Sequence, residues 1–480
     1  MRVLCEEQNK FEITKNDTMN RLLFVMGLLV ATIVTSCGPR ENGELIGVQP
    51  RPPWYDVDPF GTVYIPMGAF VMGENDQDVP YAQVSRAKTV SVQAFYMDDT
   101  EITNNEYRQF VHWVRDSMAM QLIIDNEPEG WEEFAFLEDI FGNELDVKRW
   151  GNQGVPGPTD IKINWQAKYW IPYFESKNPE DEYFDVLEQM YYPPNERYYG
   201  KRHIDVRKLV YEYSWIDYQM AAKYGRMRHN FGEDYGYNRA DFIKEDKIEV
   251  YPDTLCWVAD FTYSYNEPLT QMYFWHPAYD DYPVVGVNWK QAKAFGYWRT
   301  NLFNKYLEGA GIPLVQDFRL PTETEWEYAS RGGLDVSMYG WGGPYTRNDR
   351  GCLLANFKPL RGRYVDDGGF HTVTGYSYSP NDYGLYCMSG NVAEWTSNAY
   401  DESAYNFSHD LNPNYQFDAS DNDHPALQRK VVRGGSWKDI LYYTQTGVRS
   451  YEYQDTAKSY IGFRNVMTYL GRAKGDITEE

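Results

Sequence analysis

Three stretches of this chain open with a helix start signal and then repeat apolar residues at helical spacing. They limit the fold more than any other feature. The first follows Thr103-Asn104-Asn105-Glu106, a capping box, with Tyr107, Phe110, Val111 and Val114 at i, i+3, i+4 and i+7. It predicts a helix from about Asn104 to Asp116 with one buried stripe. The second starts near Asn288, where Trp289, Ala292, Phe295 and Trp298 recur at near-helical spacing. The third is capped by Thr322 and Glu325 after Pro321 and stops at Gly332-Gly333. Ahead of them, Val90, Val92, Ala94 and Tyr96 alternate with Thr89, Ser91, Gln93 and Phe95, which is strand periodicity. Elsewhere Gly, Asn, Asp and Tyr are frequent and periodicity is scarce. The expectation is an α+β fold with long, well-packed loops.

Residues 119–281 differ in texture. They are acidic and rich in Tyr and Trp, as in Tyr191-Tyr192-Pro193-Pro194, with a helix expected over Tyr211 to Tyr224. A structureless loop of that length does not suit a compact domain, so the stretch reads as a partly folded, inserted subdomain. Its aromatics serve either as interface anchors or as the insertion's own core, and both readings stay open.

Near the N-terminus, Leu22 to Val34 is a 13-residue apolar run directly behind Arg21. A membrane-spanning helix needs about 20 such residues, whereas a signal-peptide core needs fewer. The run ends Val34-Thr35-Ser36-Cys37, which resembles the lipobox of bacterial lipoproteins, with Cys37 as the acylated residue. Met19 would start a normal precursor. The expected organisation is a signal peptide over 1–36, a lipidated tether over 37–60, the main domain over 61–470 and a polar tail over 471–480. Acyl chains contribute about 0.8 kcal/mol per buried CH₂, so more than one on Cys37 would anchor the protein to a membrane that it does not span.

Charge and motifs exclude several function classes. The net charge of -24 repels phosphate backbones and anionic lipid, which argues against nucleic-acid binding. No phosphate-cradling glycine loop, tight His spacing or nucleophile elbow occurs. Besides Cys5 and Cys37, only Cys256, Cys352 and Cys387 remain; without CxxC spacing they read as inert, half-buried thiols.

Eight blocks in register resemble the formylglycine-generating enzyme (sulfatase-modifying factor) family. They are Ile65-Pro66-Met67-Gly68, Phe95-Tyr96-Met97-Asp98, Pro283-Val284-Val285-Gly286 and Phe318-Arg319-Leu320-Pro321-Thr322-Glu323, each with its following residues. Further on stand Tyr383-Gly384-Leu385-Tyr386, Ser389-Gly390-Asn391-Val392-Ala393-Glu394-Trp395, Val432-Arg433-Gly434-Gly435-Ser436-Trp437 and Ile461-Gly462-Phe463-Arg464. The resemblance implies a C-type-lectin-related α+β fold with long irregular loops and a large insertion. Enzymes of the family oxidise a peptide cysteine with two copper-binding cysteines placed just after the Gly-Gly-Ser-aromatic block. The corresponding positions here are Asp439 and Thr444. A carboxylate and a hydroxyl do not replace two thiolates that select Cu(I), so neither catalysis nor copper is expected. The family's structural calcium would fall on Asn356 and Asp367, with a carbonyl near Phe370, and at a second site on Glu394.

Within the family, the lipobox, the missing cysteines and the long insertion resemble one subgroup, the GldK/PorK-type outer-membrane lipoproteins of gliding motility and type IX secretion. GldJ-type lipoproteins are the near alternative. This resemblance implies a non-catalytic ring subunit facing the periplasm, assembled with a GldN/PorN-type partner and other secretion components, requiring no cofactor. Two other readings stand beside it: an enzyme using a non-standard site around Asp439, and a lectin-like binding lipoprotein.

Overall fold

The computed structural model describes residues 57–73, 87–126, 135–138, 144–145, 160–163, 165, 184–231, 239–263, 268–359, 365 and 369–471. Met19, Cys37, Asp367 and almost all of the polar tail lie outside them. The described residues all belong to one unit, Tyr55–Glu480.

The alternating stretch forms two strands rather than one. β1 (Thr62–Ile65) and β2 (Gly68–Met72) precede β3 (Lys88–Val92) and β4 (Phe95–Asp98), the chain breaking step at Gln93-Ala94. β2 and β3 pair as a hairpin-like ribbon. β4 is the middle strand of a second sheet, between β1 and the C-terminal β11 (Val466–Thr468). All four β4 residues are buried, as expected of a strand covered on both faces.

α1 (Asn104–Asn126) begins at the expected box: Thr103 N–H donates to Glu106 Oε2 at 2.8 Å, and Glu106 N–H to Thr103 Oγ1 at 3.3 Å. It continues ten residues beyond the expected end at Asp116. The charged pair Arg115–Asp116 looks like a terminus in the sequence, yet Asp116 is buried beside Arg115, and Ala119, Met120, Ile123 and Ile124 prolong the apolar stripe.

The stretch expected to be helical over 211–224 is a strand followed by a helix. β5 (Val210–Ile216) pairs antiparallel with β6 (Ile243–Glu249), and α2 (Tyr218–Phe231) starts at Asp217, whose Oδ1 accepts Met220 N–H. α3 (Cys256–Asp260) is a short turn of helix. A small three-stranded sheet, Ala135–Glu138 with Glu144–Leu145 and Asp160–Ile163, also belongs to this part of the chain.

α4 (Trp289–Gly309) and α5 (Glu323–Arg331) carry complete capping boxes at Asn288/Gln291 and Thr322/Glu325, and α5 ends on Gly332 in the left-handed conformation. The third main sheet has the order β9-β8-β7-β10, made of β7 (Ala393–Ala399), β8 (Arg429–Arg433), β9 (Ser450–Tyr453) and β10 (Ile461–Gly462). β10 runs parallel to β7 while the other pairs are antiparallel.

The largest core cluster joins α1, α4, β5, β6 and β7. Tyr107 stacks on Phe295 at 5.7 Å, and Phe110 meets Tyr211 and Trp298 at 5.3 Å. Tyr213 and Trp215 stack on Tyr297 at 5.0 and 6.0 Å. The inward aromatics of β5 are therefore core residues shared with the main domain. Such pairs add about 0.5–1.5 kcal/mol each beyond burial. Among the described residues, no helix is long and apolar enough to cross a membrane.

Candidate functional site

β8 delivers Gly434-Gly435-Ser436-Trp437 into a tight loop. Gly435 has φ +64°, and a Cβ there would stand 2.7 Å from Tyr443 C and O and 2.9 Å from Thr444 N. Only a residue without a side chain lets the two backbones meet so closely. This contact brings the 439–444 segment against the glycine block.

Ser436 Oγ donates to Asp439 Oδ2 at 2.6 Å, and Asp439 N–H returns to Ser436 O at 3.0 Å. Burial pushes the Asp439 carboxyl above the usual carboxylate range, opposed by the Ser436 hydrogen bonds and by Lys438. Thr444 is fully buried and its hydroxyl donates to Leu441 O at 2.8 Å. Each side chain is thus engaged within its own turn. A hydroxyl so held and a carboxylate make a poor site for a soft cation.

The remaining thiols do not substitute for the missing pair. Cys256 and Cys387 are buried, Cys352 is exposed, and all three are free. Burial raises the first two well above the ordinary thiol range, so they stay protonated and weakly nucleophilic. The expected half-buried state therefore splits into two buried thiols and one exposed one. Among the described residues, no group of three or more His, Cys, Asp or Glu side chains gathers where it could hold a metal ion.

One wall of this region is aromatic. Trp437 stacks on Trp257 and on Phe261, each at 5.9 Å and 15°, while His371 meets its ring edge-on at 5.2 Å. α3 is fixed there through Asp260, which pairs with Lys438 and accepts from Ser459 Oγ. Sequence reasoning missed Trp257, Asp260 and Phe261, because a five-residue helix shows no periodicity. Their signal was only the aromatic and acidic texture of the segment.

The calcium candidates separate. Asn356 is buried; its Nδ2 donates to His371 O at 2.6 Å, and its carbonyl accepts Asn391 N–H at 2.8 Å. Its Oδ1 packs against Gly369, where a Cβ would come within 3.1 Å. It is a hard oxygen of the kind calcium takes, and Asp367, the other expected member, lies outside the described residues. Glu394 does not fit one. Its two oxygens accept from Arg464 Nη2 at 2.7 Å, Arg464 Nε at 2.8 Å and Trp326 Nε1 at 2.7 Å, which makes it half of a buried ion pair.

Beneath the loop lies a second ionic group. Arg433 Nη2 pairs with Glu327 Oε2 and Arg433 Nη1 with Glu323 Oε1 at 3.4 Å, and the same guanidinium donates to the carbonyls of Thr446, Gly447 and Val448. Arg449 holds Glu323 at 2.5 and 3.0 Å, and Arg331 holds Glu327 at 2.6 Å.

A family model described as "Sulfatase-modifying factor enzyme 1-like domain" matches residues 55–167 and 218–469. The curated relatives include an "Inactive C-alpha-formylglycine-generating enzyme 2" from Bos taurus, 32% identical over 204 residues, 41% of this chain and 54% of the relative. A "Formylglycine-generating enzyme" from Streptomyces coelicolor is also 32% identical over 188 residues, 38% of this chain and 52% of the relative. The chain spans about half the length of the curated relatives it matches. Among solved structures, PvdO from Pseudomonas aeruginosa aligns over 88% of this chain and 100% of its own with 14% identity and a TM-score of 0.41.

Proposed function

Because this chain belongs to the sulfatase-modifying factor family, which holds both active and inactive members, we propose that it is a non-catalytic structural lipoprotein of the GldK/PorK type. In this reading it is anchored by Cys37 to the outer membrane, faces the periplasm and builds a ring of the type IX secretion and gliding machinery. Its partners are a GldN/PorN-type subunit and further secretion components. The observation that carries the non-catalytic part is the state of Asp439 and Thr444, the positions that the resemblance assigns to the family's copper-binding thiols, each closed in a hydrogen bond of its own turn.

The test is the native mass and composition of the protein extracted from membranes in detergent. A megadalton species with a second abundant subunit is the expected result; a monomer without partners overturns the ring. Cys37→Ala is expected to release the protein into the soluble fraction, and continued attachment would remove the lipid anchor. With copper, oxygen and a cysteine-containing peptide, no formylglycine is expected. Turnover that Asp439→Asn abolishes would show an enzyme instead. Structural calcium at Asn356 and Asp367 is part of the same proposal: chelation should lower Tm, and Asn356→Ala should erase that difference.

A further inference from the structure

Among the described residues, the β5–β6 ribbon leaves one edge open. Its register runs from Val210↔Glu249 to Ile216↔Ile243, and the ladder closes with Val250 N–H to Leu209 O at 3.0 Å and Asp217 N–H to Phe242 O at 2.8 Å. Those two bonds fix the alternation. Tyr211, Tyr213 and Trp215 turn their backbone groups toward β6, whereas Val210, Glu212, Ser214 and Ile216 turn theirs away. These four residues are exposed, and among the described residues no strand pairs with that side of β5.

The other edge of the ribbon is blunted. On β6, Lys247 N–H donates to Asp246 Oδ1 at 2.9 Å, and the Glu249 carbonyl accepts Gln291 Nε2 at 2.8 Å. β5 carries no Pro, Lys or bulge, the devices that keep an edge from templating another strand. A hollow of about 390 Å³ runs beside it, lined by Tyr211, Glu212, Tyr213, Ser214, Glu245 and Asn301.

We propose that β5 pairs antiparallel with β5 of a second copy of this chain, about a two-fold axis through Tyr213. The strand Val-Tyr-Glu-Tyr-Ser-Trp-Ile is self-complementary in this register. Val210 lies opposite Ile216 of the second copy, and Glu212 opposite its Ser214. Each is a pair of outward-facing residues, so each exchanges both of its N–H···O=C bonds.

Side chains agree with the same register. Val210, Ile216 and Ile243 are exposed by 37%, 48% and 48%, and pairing sets Ile243, Ile216 and the second copy's Val210 in one cross-strand row. Glu212 is already paired with Lys247 at 2.9 Å and meets a Ser across the new seam. Shifting the register by two residues toward the N-terminus would place Glu212 opposite Glu212, a like-charge pair that destabilises a sheet. The result is a continuous four-stranded sheet with an isologous interface. β5 lies in the 168–217 stretch that the family model leaves unmatched, so this surface belongs to this chain and not to the shared scaffold. The inference does not rest on the secretion reading; a ring closes through head-to-tail contacts, so this two-fold seam is a second contact beside them.

The test is sedimentation of the full chain, produced without any other secretion component, in detergent over a range of concentrations, beside Ser214→Pro. That substitution removes only an outward-facing N–H, a position where an edge strand tolerates Pro. The parent should dimerise, and the variant should be monomeric, with thermal transitions that coincide at concentrations where the parent too is monomeric. A parent that stays monomeric to about 100 times the concentration at which a micromolar dimer would half-form, or a variant that dimerises equally well, overturns the proposal. If Ser214→Pro misfolds, Glu212→Cys combined with Ser214→Cys decides: mild oxidation should yield a covalent dimer, whereas the parent with its exposed Cys352 should not. A dimer in which this pair never cross-links would place the interface elsewhere and refute the register.

Discussion

Glu101 sits where a second carboxylate shares one arginine. It is 1% exposed; Oε1 accepts from Asn391 Nδ2 at 3.1 Å, and Oε2 has no hydrogen-bond partner. Arg464 is already committed to Glu394 through two nitrogens. Burial, with Glu394 adding repulsion against the pull of Arg464, pushes the Glu101 carboxyl up from 4.5 to about 8. The folded state then holds a proton that the unfolded chain releases above its own, lower pKa. The associated stability is complete below about pH 4.5 and is lost as pH rises through about 8. Glu101→Gln keeps the shape and removes the titration. Urea melts from pH 5 to pH 9 should show a flatter stability profile for the variant, with a gain on the order of a few kcal/mol at the alkaline end. A profile as steep as the parent's would mean that another group titrates.

At the scale of elements, Tyr297 on α4 is the platform on which both Tyr213 and Trp215 of β5 stack. Tyr297→Ala should cost about 2–4 kcal/mol, as large-to-small changes in packed aromatics do. Amide hydrogen exchange should quicken first in β5 and β6, leaving β8 and α5 protected. Uniform quickening would show that the ribbon is no separate unit of opening. The helices that were legible in the sequence are those announced locally. Thr103/Glu106, Asn288/Gln291 and Thr322/Glu325 each satisfy backbone donors within four residues, so no distant partner is needed to recognise them. β5 was misread because tyrosines spaced by two fit both a strand and one end of a helix. What separates the readings is Asp217, which caps α2 and leaves Tyr211, Tyr213 and Trp215 on a strand face. Of the site, the glycine block and positions 439 and 444 were legible through the resemblance. The role of Glu394 was not, because its partner Arg464 lies 70 positions away.

Across the whole molecule, the Arg331–Glu327–Arg433–Glu323–Arg449 group ties distant parts of the chain together. Arg331 donates to Gly73 O at the end of β2 and to Ser337 O, while Arg433 grips the carbonyls of 446–448. Removing one member leaves an uncompensated buried charge, worth about 3–5 kcal/mol. Arg433→Met should therefore lower the midpoint of global chemical unfolding, with one cooperative transition and an unchanged slope. A loss confined to the 434–449 loop, read by hydrogen exchange, would show that the group acts only locally.

The same group has a consequence for how such a chain changes over generations. The side chains at 439 and 444 take no part in it, so replacing them leaves the ionic group untouched. Replacing a member of the group strands a charge in a single step. Substitutions at those two positions can therefore accumulate over generations while the shape is inherited intact.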